Sequence, residues 1–175
     1  KAVLPNPEPA NIVNGRPLLY DAMRSSANGE SSCASCHIFG DEDALAWDLG
    51  NPDDPVTTSP IPGKFTDPLQ FPIAKLLFAV QSKINGSDNP RDFHPLKGPM
   101  TTQTLRGMRG NGPLHWRGDR TGANRQTVRG ALESLEEASF KEFNDAFVGL
   151  VGREAVLPAA DMQAFTDFAM ALAMP

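Results

Sequence analysis

A chain of 175 residues, 40% hydrophobic and 21% charged, is long enough to bury its own core and has the composition of a globular protein. Its formal charge of −5 excludes the basic character that nucleic acid selects and favours a partner with a basic docking face. No apolar run approaches the roughly 18 residues of a transmembrane helix, and the start at Lys1 reads as a mature chain that has lost its signal, or as a domain of a longer protein.

The first expected element is a helix over residues 14–23, "NGRPLLYDAM". Asn14 is its expected N-cap, with Pro17 in the first turn, where a missing N–H costs little. Ile12, Gly15, Leu19 and Met23 recur at helical spacing, and Gly15 would let a second helix approach closely. Next comes "SSCASCHIFG" at 31–40, which holds both cysteines of the chain. Two cysteines cannot make a disulfide framework. Zinc would need two further ligands, and His94 and His115 lack the paired spacing of such sites. A redox dithiol expects a βαβ setting, whereas the flanks here are Ser, Asn and Gly. Covalent haem explains all three residues at once: Cys33 and Cys36 add to the vinyl groups as thioethers, and His37 binds the iron. That chemistry belongs outside the cytoplasm, so a bacterial periplasm or cell surface is expected.

The segment 40–50 carries Asp41, Glu42, Asp43 and Asp48 around Trp47. Its spacing follows no known calcium loop, so a solvated acidic loop is favoured over a calcium site. From Pro52 to Pro99 prolines are dense, which leaves room for only short regular elements apart from a candidate helix over 73–86. Two helices are expected later: 138–152, through Phe140, Phe143, Phe147 and Leu150 with Gly152 as the stop, and 161–172, through Met162, Phe165, Phe168, Ala169 and Leu172.

"CASCH", the early "GRPLLY" helix and the aromatic-bearing last helix together resemble class I cytochrome c domains. The resemblance implies an all-α, class I cytochrome c-like helical domain, residues 1–175, wrapped around one covalent haem c, with long proline-rich loops. It also implies that the first and last helices cross near the haem, with Gly15, Leu19 or Tyr20, and Phe165 or Phe168 at the contact. Residues 101–120, "TTQTLRGMRGNGPLHWRGDR", are similar to a segment that follows the haem motif in di-haem cytochrome c peroxidase and MauG-like proteins. The order "HWRGDR" and the single CxxCH depart from that second family.

The resemblance makes Met100, in an extended loop well downstream of His37, the expected distal ligand and second metal-binding residue. Met108, His94 and His115 are alternatives, while Met162, Met170 and Met174 read as packing. Arg106, Arg117 and Arg120 are candidate propionate partners, and Trp116 can donate its indole N–H. The function implied is single-electron transfer through a His/Met-ligated haem. A peroxidase-type domain with an open distal site, using His115 or Glu42 to handle protons, is the alternative.

Overall fold

The computed structural model describes residues 5–49, 53, 55, 57–58, 92–93, 98–116 and 118–175. The expected helix over 73–86, His94 and Arg117 lie outside the described residues. The chain divides into two compact units, each built from separated segments: Lys1–Asp43, Thr104–Gly110 and Phe143–Pro175 form one, and Ala44–Gln103 with Asn111–Glu142 form the other.

In the first unit, helix α1 spans Ala10–Tyr20. It begins four residues before the expected Asn14 cap, because the Pro9 carbonyl already accepts from the Ile12 and Val13 amides. Asn14 and Pro17 therefore sit inside the helix. The proline removes one i→i−4 bond near the C-terminal end, where few turns remain to be disrupted. Asp21 caps the next helix, α2 (Ala22–Ser25), by accepting from the Met23 amide. The last helix, Ala159–Ala169 (α5 in chain order), opens after Pro158 and stops three residues short of the expected 172.

Helices α1 and α5 cross at Gly15. A Cβ there would lie 2.2 Å from the Ala164 carbonyl oxygen and 2.3 Å from the Phe168 Cβ, so only glycine permits this separation. Leu18, Leu19, Phe147, Leu157, Met162, Phe165, Phe168 and Ala169 are buried in this unit. The Phe147 and Phe165 rings meet edge to face, centroids 6.0 Å apart, a favoured aromatic geometry.

The single helix expected over 138–152 is two helices. Helix α3 is Leu135–Lys141, started by a capping box in which Ser134 Oγ accepts from the Glu137 amide and Glu137 Oε2 accepts from the Ser134 amide. A 3₁₀ turn, Glu142–Asp145, separates it from helix α4, Ala146–Gly149. Asn144 in that turn exchanges two hydrogen bonds with the Leu157 backbone, at 2.8 and 3.0 Å. Those bonds hold the turn against another segment rather than within a continuous helix. Helix α4 ends at Gly149, three residues before the stop expected at Gly152, which follows in a left-handed conformation at φ 74°.

The second unit has short antiparallel ribbons: Ala46–Trp47 with Met100–Thr101, Thr57–Thr58 with Asp92–Phe93, and Thr127–Val128 with Ala131–Leu132. Helix α3 buries Glu136, Ala138, Ser139 and Phe140. Gly122, at φ 63°, lies so close to α3 that a Cβ would be 2.3 Å from the Leu135 carbonyl oxygen. Among the described residues, no helix is long and apolar enough to cross a membrane.

Candidate functional site

The segment leading into the cysteine motif is organised by buried serines. Ser26 Oγ donates to the Ala22 carbonyl at 2.9 Å and accepts from the Glu30 amide at 3.1 Å. Ser25 Oγ donates to the Asp21 carbonyl at 2.8 Å. Ser25, Ser26 and Ser32 are all buried, so their hydroxyls stand in for the backbone ladder that an irregular loop lacks.

The motif itself is one hydrogen-bonded turn. Cys33–Ser35 is 3₁₀, the Cys33 carbonyl accepts from the Cys36 amide at 3.3 Å and the His37 amide at 2.9 Å, and Ser35 Oγ accepts from the Ser32 amide at 3.1 Å. Both cysteines are unpaired thiols and half-buried, as is His37. Burial pushes the Cys33 thiol up to about 11; the neighbouring Cys36 also raises it, while a backbone hydrogen bond opposes the rise. Burial, helped by the Asp43 carboxylate, raises Cys36 as well. A redox dithiol works through a thiolate whose pKa is lowered, and here both shifts run the other way.

After His37 the chain turns sharply. Phe39 adopts φ 56°, a left-handed conformation that costs a bulky residue energy, and its side chain is 74% exposed. The segment Thr104–Gly110 is strapped to this turn. Its Leu105 amide donates to the Gly40 carbonyl at 3.0 Å, and its Gly107 amide donates to the Leu172 carbonyl at 2.8 Å. Arg106 Nη2 donates to the Phe39 carbonyl at 2.9 Å, and its Nε lies 3.6 Å from Asp41 Oδ2. Arg106 Nε is buried and has no hydrogen-bond partner. Met108, on the same segment, is buried.

One unit therefore holds Cys33, Cys36, His37, Arg106 and Met108. Met100, Trp116, Arg120 and His115 belong to the other. Met100 stands opposite Trp47 in its ribbon and is half-buried. Trp116 is exposed at the tip of the turn closed by the Leu114–Arg120 bridge. In that turn His115, at φ 73°, holds its Nδ1 2.5 Å from Asp119 Oδ1, with side chains only 17% and 11% exposed.

Glutamates anchor the other loops of this second unit. Glu142 accepts from the Thr121 and Gly122 amides at 3.1 and 3.0 Å, and Glu136 accepts from the Gly112 amide at 3.0 Å. Burial raises the Glu142 pKa, against the lowering effects of those two amides and of Arg120. Glu133, which is buried, accepts from the Gln126 amide at 2.9 Å and pairs with Lys141.

Sequence reasoning missed the serines, Asp119 and the loop-anchoring glutamates. The serines and Asp119 are short polar side chains beside Ser, Ala or Gly, a pattern that equally describes an exposed loop, and the glutamates read as ordinary solvated charges. Among the described residues, no three His, Cys, Asp or Glu side chains converge as metal ligands. Compared with protein-family models, curated proteins and solved structures, the chain matches none.

Proposed function

We propose that this chain is a mono-haem c-type cytochrome of the class I kind, an electron carrier or electron-entry domain working outside the cytoplasm. The observation that carries the reading is the Cys33–His37 turn: two thiols outside any disulfide and an imidazole on one hydrogen-bonded element. Of the three chemistries that the motif admits, haem attachment alone uses both thiols and the adjacent imidazole together. The donor set fits haem c. Ile38 and Phe39, exposed directly after the motif, add apolar surface suited to a macrocycle, and the Arg106 Nε–H, which faces Asp41 at 3.6 Å without a hydrogen bond, is placed to donate to a propionate carboxylate.

In this reading Cys33 and Cys36 would hold the haem, His37 and Met100 would ligate its iron, and Arg106 would receive a propionate. Trp116, Arg117 and Arg120 remain candidate propionate partners. Haem bound in this way supplies a one-electron couple. The residues of the chain do the rest: the serine-held loop and the Thr104–Gly110 strap keep the motif turn rigid, so little rearrangement accompanies a change of oxidation state. The acidic balance of the chain suits a redox partner with a basic face, whose encounter slows as salt rises.

The test is optical. Met100→Ala should abolish the weak far-red band of ferric His/Met haem and lower the reduction potential, since thioether ligation raises it. An unchanged spectrum would transfer the ligand role to Met108, His94 or His115. One observation favours a second reading, peroxidase-type chemistry: His115 is oriented by a nearly buried carboxylate, as a proton-handling histidine needs to be. Sustained turnover of hydrogen peroxide with a reducing co-substrate, together with a high-spin ferric spectrum, would select that reading.

A further inference from the structure

We propose that Asp41 and Arg106 form an opposed charge pair that sets the reduction potential at the cysteine motif, with Arg106 raising it and Asp41 trimming it. This rests on the haem reading above. The Arg106 guanidinium is a fixed cation. Its segment is tied on one side to Gly40 and on the other to Leu172, and its Nη2 is bonded to the carbonyl of Phe39, two residues after His37. Asp41 lies across from it at 3.6 Å, beyond hydrogen-bond length. The pair is therefore a charge contact and not a closed bidentate fork, and each charge keeps an outward field.

The two charges act oppositely on a one-electron couple. A ferric centre carries one more positive charge than a ferrous one, so a nearby fixed cation favours the reduced state and a nearby carboxylate favours the oxidised state. The electron taken up comes from the redox partner, and no proton need move with it. Exposure separates the two contributions. The Asp41 side chain is 49% exposed and that of Arg106 29%, so added salt screens Asp41 more strongly.

The experiment compares the haem-loaded wild-type chain with Asp41→Asn and Arg106→Gln by spectroelectrochemistry, with haem content measured separately as the pyridine haemochrome. Asp41→Asn should raise the potential and Arg106→Gln should lower it. Each should move the one-electron equilibrium by about threefold or more, where tenfold corresponds to ~59 mV. The wild-type potential should climb with salt towards that of Asp41→Asn, which itself should respond less. Arg106→Lys, which keeps the cation, should stay near the wild type and separates a charge effect from damage to the fold. Shifts of the same sign in Asp41→Asn and Arg106→Gln, or no shift in either, would overturn the pair. A wild-type chain carrying no haem would instead overturn the functional reading on which the pair depends.

Discussion

The two units reach close packing by opposite routes. In the first, α1 and α5 touch because Gly15 has no side chain, and the surrounding contacts are Leu, Phe and Met. In the second, loops are drawn onto α3 by carboxylates: Glu142 holds the 121–122 amides, Glu136 the amide of Gly112, and Glu133 that of Gln126. Apolar contact tolerates small slips but not added volume. A carboxylate clamp tolerates volume but not the loss of its acceptor, because amides such as those of the buried Thr121 and Gly122 are then left unpaired. The two regions should therefore fail under different substitutions.

Adding one methyl group at the crossing should do the most damage. Gly15→Ala places a Cβ against the Ala164 carbonyl and Phe168, and the helices must separate. We expect a loss of about 3 kcal/mol in urea unfolding, and an unchanged midpoint would mean that the crossing is not close. In the second unit, Glu142→Ala removes the acceptor of two amides and should cost about 2 kcal/mol, while Glu142→Gln, which keeps one carbonyl oxygen, should cost roughly half that.

The same residue gives the comparison a pH axis. Burial raises the folded-state pKa of Glu142 above its ordinary value, so folding favours its protonated form. Its contribution is fully present below the unfolded-state pKa and is lost as pH rises through the folded-state value. Plotted against pH, the stability of wild type relative to Glu142→Gln should decline across that acidic window and level off above it. A rise with pH would mean that the two amides outweigh burial. An effect as small as that of Glu142→Gln should come from Ser26→Ala. It removes one hydroxyl that bridges the Ala22 carbonyl and the Glu30 amide, for about 1 kcal/mol, and leaves both units otherwise intact.

What could be read from the sequence follows the same division. The last helix and the role of Gly15 were legible, because apolar periodicity and a missing side chain speak directly about packing. The boundary at Asn14 was not, since the Pro9 carbonyl starts α1 earlier and the cap preference is only local. The break between α3 and α4 was hidden by Phe140, Phe143 and Phe147, whose spacing continues across it; only the distant Leu157 backbone explains it. The motif at Cys33–His37 stood out in the sequence by its residue types and spacing. The serines that hold it did not, because Ser25 and Ser26 are buried by tertiary context while their sequence reads as solvated loop. Arg106 was expected only as a candidate propionate partner, and its hold on Phe39 was not legible because it joins residues far apart in the chain.

The most direct test of the central claim is acid–acetone extraction of the chain produced in a compartment that attaches haem c, compared with Cys33→Ala/Cys36→Ala. Colour should stay with the wild-type protein, at one haem per chain, and leave the double variant for the organic phase. Haem extracted from the wild type, or a colourless chain retaining two free thiols, would contradict it.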